Sequence, residues 1–198
     1  MTIIIKIQKS KIFFLCFLFV LQCNKSHSQS FTNIKSEKKV NSEVYHLDKF
    51  DLTIFDNNKI CLHTPGKEPI TKPFNVITEK SLTKLLYNNK LQEGFLFIEP
   101  CKELKEGCKI YHINSKSISF LGELPFSAYT SENGERMNYN SILPYISVIR
   151  SGQRTLLFIN TPIVVIYPNS PQEQILESKS FYHLLQQDYF LMQEYKSN

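Results

Sequence analysis

Four side chains in this 198-residue chain have the chemistry to hold a metal or close a staple: Cys61, His63, Cys101 and Cys108. Cys101 and Cys108 stand at the two ends of a connection in "EPCKELKEGCKIY", bounded by Pro100 and Gly107 and flanked by predicted strands. In an oxidising compartment such a pair forms a disulfide, and a loop this short stabilises the fold by about 2.5 kcal/mol on chain-entropy grounds. Cys61 is then left as a small buried apolar residue. The alternative is a metal site, since Cys61 and His63 lie two apart on a predicted strand and share its face. The six-residue gap between Cys101 and Cys108 is wider than zinc spacing favours, so no metal is assigned.

Catalytic frames are absent from the sequence. There is no Gly-x-Ser-x-Gly elbow, no His-Glu-x-x-His and no phosphate loop, so neither a catalytic residue nor a cofactor is assigned. His112 alternates with Tyr111 and Ile113, which is the pattern of a hydrogen-bonded strand histidine. A carboxylate pair of the glycosidase kind is set by separation in space and cannot be read from spacing along the chain. Two polar loops are candidate binding elements instead. "IRSGQRT" brackets a tip with Arg150 and Arg154, which together could fork a carboxylate or phosphate. "AYTSENGERMNYNS" places Arg136 and Tyr139 around an Asn-Gly turn, a composition suited to protein recognition.

The leader sets the compartment. Lys6, Lys9 and Lys11 precede an apolar run over Ile12–Leu21, too short to span a bilayer and of the length of a secretory signal. Two processing sites are legible. Ser26-His27-Ser28 has the small-x-small pattern for cleavage before Gln29, giving a signal peptide over residues 1–28. Val20-Leu21-Gln22-Cys23 resembles a bacterial lipobox, with Gln22 where a small residue is usual, and would end the leader at residue 22 with a lipid on Cys23. Either way the expected location is the periplasm or cell envelope, with membrane contact only through that lipid. Four lysines and no acid lie within residues 1–28, so the formal charge falls from +5 to +1 on cleavage. That balance, with three arginines in all, gives no basis for nucleic-acid binding.

The positioning elements follow from patterning. Residues 29–42 are polar, rich in Lys and Ser, and read as a flexible linker. Residues 43–198 then form one domain. Hairpins are predicted around Asp56-Asn57-Asn58 and around Asn114-Ser115, with strands over Gly94–Glu99, Leu143–Arg150, Thr155–Asn160 and Ile163–Tyr167. "SPQE" at Ser170–Glu173 has the form of a capping box with Pro at the first helical position, so a helix is predicted over about 171–195. A shorter one is predicted over Ser81–Tyr87 from the spacing of Leu82, Leu85 and Leu86. The expected class is α+β, mainly antiparallel β: a small sandwich or bent sheet with a packed C-terminal helix. A propeller is set aside because the chain is too short for four blades and two helices.

The expected core comprises Phe55, Ile60, Phe95, Phe97, Ile118, Phe120, Ile146, Val148, Leu157, Ile159, Val164, Ile166, Leu185 and Met192. Export, small size, a staple and the lack of a catalytic frame together point to a non-catalytic module binding another envelope protein, as an inhibitor or immunity-type factor. The competing expectation is a small exported hydrolase of wall or glycan material.

Overall fold

The computed structural model describes residues 28–74, 81–100, 107–124, 127–130, 138–159, 163–167, 170–176, 181–185 and 190–193. Three short strands come first: β1 (Gln29–Ser30), β2 (Thr32–Ile34) and β3 (Glu37–Lys39). β4 (Ser42–His46), β5 (Asp51–Phe55), β6 (Lys59–His63) and β7 (Ile70–Pro73) form a meander that β3 extends into an outer sheet. β8 (Ser81–Asn88), β9 (Glu93–Pro100), β10 (Lys109–Asn114) and β11 (Ser117–Glu123) form a second meander, the middle sheet, with β2 beside β8. The remaining strands are β12 (Ser127–Thr130), β13 (Asn138–Asn140), β14 (Ile146–Ser151), β15 (Arg154–Ile159), β16 (Ile163–Tyr167), β17 (Ser170–Leu176), β18 (Phe181–Leu185) and β19 (Phe190–Gln193). They make a third sheet, β1-β14-β15-β18-β19, and a fourth, β13-β12-β16-β17. Every pairing among the described residues is antiparallel.

Local chemistry explains the turns. Asn58 adopts φ 61° and its N–H donates to Phe55 O at 3.1 Å, so the hairpin between β5 and β6 closes on the residue type that tolerates a left-handed backbone. The Asn114 side chain accepts from Lys116 N–H at 2.9 Å and tightens the turn between β10 and β11. Gly152, at φ 60°, turns the hairpin between β14 and β15.

The middle sheet is covered on both faces. One face sends Leu86, Phe95, Phe97 and Ile110 against Ile146, Val148, Leu157 and Ile159 of the third sheet. The other sends Leu85, Leu96, Ile98 and Ile113 against Leu52, Ile54, Ile60 and Leu62 of the outer sheet. Neighbours in sequence such as Leu96 and Phe97 therefore enter different cores, and both are fully buried. Of the expected core, Ile60, Phe95, Phe97, Ile118, Ile146, Val148, Leu157 and Ile159 are buried, and Phe55 is half-buried. Phe120 is 52% exposed at the free side of β11. The side chains of Val164, Ile166, Leu185 and Met192 lie outside the description.

Three expectations need correction. Ser81–Tyr87 is strand β8, not a helix: with both faces covered, Leu85 and Leu86 can each be buried on opposite sides, and the apolar run loses the alternation that marks a half-buried strand. The predicted C-terminal helix at about 171–195 is replaced by β17, β18 and β19. There the β18 ladder fills the second edge of β15, from Thr155↔Leu185 to Ile159↔Phe181, and tertiary pairing overrides a local capping signal. Pro171 falls in the register shift between β16 and β17, on an outermost strand, where a missing N–H costs no ladder bond. The segment 29–42, expected as linker, carries β1, β2 and β3. Its polar residues suit sheet edges, while Phe31 is buried and its ring meets Phe95 edge-on at 5.2 Å.

With strands in place of both helices, chain length no longer excludes a propeller. The strand order does not follow one, because the third and fourth sheets interleave hairpins instead of following one another as consecutive blades.

Gly94 lies under this packing: a Cβ there would come within 2.8 Å of Tyr87 Cδ2 and 2.9 Å of Leu86 O. Gly94→Ala is expected to cost about 1–3 kcal/mol by overpacking, and Phe97→Ala about 3–5 kcal/mol by leaving a cavity. Urea unfolding checks both, and a neutral result for Phe97→Ala would contradict the covered middle sheet.

Candidate binding site

The residues singled out by sequence go to several places. Arg150 lies on the inward face of β14 with Val148. Its Nη2 approaches Glu93 Oε1 at 2.6 Å, an ion-pair contact rather than an aligned hydrogen bond, and its Nε–H donates to Thr155 Oγ1 at 3.1 Å. Glu93 Oε2 is in turn 3.3 Å from His112 Nε2. Arg154 pairs with Ser151, the neighbour of Arg150 on β14, and so lies on the opposite face. The expected two-arginine fork is therefore not formed: one guanidinium clamps the third sheet to the middle one, and the other is exposed on the far side.

Tyr139 is the central residue of β13, opposite Tyr129. Arg136, Cys101 and Cys23 lie outside the described residues, and with them the expected lipidation and the partner in the expected Cys101–Cys108 staple. Cys108 is a buried thiol, its pKa pushed well up by burial and by the nearby carboxylates of Glu99 and Glu123. Cys61 is on the outward face of β6, accepting from Thr71 Oγ1 at 3.6 Å, whereas Cys108 is in the core on the far side of the middle sheet. These two thiols cannot share one ion. Among the described residues no group of three or more His, Cys, Asp or Glu side chains is placed to hold a metal.

A cleft of about 600 Å³ opens where β2 leaves β8. β2 pairs with β8 only from Thr32↔Tyr87 to Ile34↔Leu85, and Lys35 and Ser36 then cross to β3 in the outer sheet. Thr32 Oγ1 donates to Tyr87 O at 3.2 Å, which shows that the backbone of Tyr87 faces β2. By the alternation of a strand, Leu85, Thr83 and Ser81 face the same way. No described strand pairs with Ser81–Lys84 on that side. The N–H and C=O of Thr83 thus look into the cleft.

Hydrogen bonds fix both walls. Ser36 Oγ and Thr83 Oγ1 each donate to the Glu43 carboxylate, and Tyr45 Oη lies 2.7 Å from Thr83 Oγ1. The one hydroxyl proton of Thr83 goes to Glu43, so Tyr45 is the donor in that contact. Burial, foremost, pushes the Tyr45 phenol up to about 12, which keeps it protonated for this role. On the other wall, Lys84 Nζ donates to Leu143 O at 2.7 Å and Ile146 O at 2.8 Å, while Glu99 accepts from Ile142 N–H at 3.0 Å and from Ser141 Oγ at 2.5 Å. Burial lowers the Lys84 pKa. Leu82 is 42% exposed and lines the cleft together with Ile34 and Pro144. The result is an open strand edge with an apolar contact, held between two hydrogen-bonded polar clamps.

None of these residues was a sequence candidate. Thr83 was hidden in a predicted helix and Ser36 in a predicted linker, and only the departure of β2 from β8 brings them together.

A second polar cluster lies on the solvent side of the outer sheet. His46 places Nδ1 2.9 Å from Asp51 Oδ1 and Nε2 3.1 Å from Glu37 Oε2, linking β3, β4 and β5. The hydrogen bond with Glu37, then that with Asp51, raises the His46 pKa, and the same contact lowers that of Glu37. A raised histidine pKa stabilises the fold below the unfolded-state value and ceases to do so as pH rises through the folded one. An NMR titration is expected to place His46 above an ordinary histidine, and Glu37→Gln to bring it down.

The two arginines separate by their effect on folding. Arg150→Met is expected to cost about 1–3 kcal/mol by stranding the half-buried Glu93 carboxylate, and Arg154→Met to leave thermal stability unchanged within about 0.5 kcal/mol. Equal effects in calorimetry would contradict the opposite-face placement. Comparison of the chain with protein-family models, with curated proteins and with solved structures returns no match.

Proposed function

We propose that the protein is an exported, non-catalytic binding module that takes an extended segment of another envelope protein along the open edge of β8, as an inhibitor or immunity-type factor would. The observation that carries this reading is the outward-facing backbone of Thr83 beside an exposed Leu82, in a cleft that no described strand fills. Edge addition gives affinity through main-chain hydrogen bonds, and specificity through pockets for alternate side chains. Here Leu82, Ile34 and Pro144 supply the apolar contact. β13 ends one residue before Ser141 at the cleft wall, which places Tyr139 two positions along the chain from it.

The chemistry of the cleft favours binding over hydrolysis. The Tyr45 phenol is held protonated, the Lys84 ammonium is spent on two carbonyls, and the Glu43 carboxylate already accepts two hydroxyl donors. A general base must stand within reach of the proton it takes, and each of these groups is engaged in holding the cleft walls.

Export rests on the leader, and the strands bear on its processing. A lipid on Cys23 would leave only residues 24–28 before β1, a tether of at most about 18 Å when fully extended. The long polar spacer that would suit an anchored domain is used up in the fold, which favours cleavage after Ser28.

The test uses a partner retained from envelope extract and then purified. On adding it, the amides of Ser81 and Thr83 should gain protection from hydrogen exchange. Leu82→Asp should weaken the complex at least tenfold with unchanged thermal stability. Retention indifferent to Leu82→Asp, with no new protection along β8, would move the site elsewhere.

A further inference from the structure

The first strand puts Gln29 in an unusual setting. Phe31 N–H donates to Val148 O at 3.2 Å, so those residues form a hydrogen-bonded pair, and antiparallel alternation makes Gln29 and Arg150 the next such pair. The Gln29 nitrogen is therefore directed at the sheet. Its side-chain amide is idle: the oxygen is buried without a donor, and the amide makes no hydrogen bond to any described residue. Gln29 also lines a cavity of about 500 Å³ with Ser28, Tyr87, Asn88 and Lys90.

We infer that Gln29, freed as the first residue by cleavage after Ser28, cyclises to pyroglutamate. The inference depends on the leader reading above and not on the β8 edge. The unprotonated α-amine nitrogen attacks the side-chain carbonyl carbon Cδ, one amine proton passes to Nε2, the Cδ–Nε2 bond breaks, and Nε2 leaves as ammonia. The product is a five-membered lactam, and no oxidant or cofactor takes part.

Three features favour the product. The native state spends no hydrogen bond on the amide that is lost, so folding does not protect it. The cavity leaves room for the ring. A free α-ammonium would border a cavity that Lys90 also lines, whereas the lactam nitrogen is neutral. The backbone from Phe31 onward keeps its ladder either way.

Intact mass and N-terminal sequencing of the mature protein from an exporting host test this. The expected chain begins at residue 29, is lighter by one ammonia than the encoded sequence, and resists sequencing until pyroglutamyl aminopeptidase is added. Gln29→Ala should give a chain with the same start and a free amine. A chain starting at Gln29 with an open amine overturns the cyclisation and leaves export standing. An acylated Cys23, or an uncut chain, overturns the leader reading and the inference together. A blocked Gln29→Ala chain would assign the block to other chemistry.

Discussion

Burial of the middle sheet on both faces is the constraint from which the remaining structure follows. A strand covered on two sides has few places for a polar side chain, and those that occur there are held by specific partners. Glu93, Glu99 and Lys109 sit toward the ends of their strands and Lys84 in the middle of β8, and each reaches a partner on a neighbouring strand or layer. Glu93 holds Arg150 of the third sheet, Glu99 and Lys84 hold the backbone leading into β14, and Lys109 lies 3.9 Å from Glu123 on β11. Removing such groups from water is unfavourable, and only a specific partner offsets it. The buried charges thus fix where one sheet sits on the next, while the apolar faces supply the cohesion.

The same constraint explains what could be read from the sequence. Hairpins were legible wherever a turn residue carried its own physics, as at Asn58, Asn114 and Gly152. β9 was legible because Phe95–Ile98 is a continuous apolar run bounded by polar residues. β8 was not, since Leu82, Leu85 and Leu86 satisfy a helical stripe as well as a strand buried on both sides. Ser170–Glu173 carries a genuine helix-start pattern, yet the free edge of β15 offers a full ladder to the segment that follows. Residues 29–39 look like linker because edge strands need few apolar side chains, and only Phe31 and the half-buried Ile34 tie them to the cores.

The candidate site was the least legible part, for a related reason. Arg150 attracted notice as a charged hairpin residue, but its role depends on Glu93, 57 positions earlier in the chain, which no local pattern announces. The cleft at Thr83 depends on an absence of pairing. It exists because the chain turns from the middle sheet into the outer sheet after Ile34, and Glu43 captures Ser36 and Thr83 at the crossing. A strand edge left open by a crossover is a product of topology, invisible to composition or periodicity.

The eleven residues from Gln29 to Lys39 contribute one edge to each of three sheets, and this has a kinetic consequence. Their partners are made later, and the farthest, Arg150, comes about 120 residues after Gln29, so this closure carries far more chain entropy than any hairpin in the molecule. The local meanders can zip as they appear, but the head of the chain must wait for β14. A polypeptide of this design stays slack at its leading end through most of its synthesis, and that end locks only once the strand that closes it has been made.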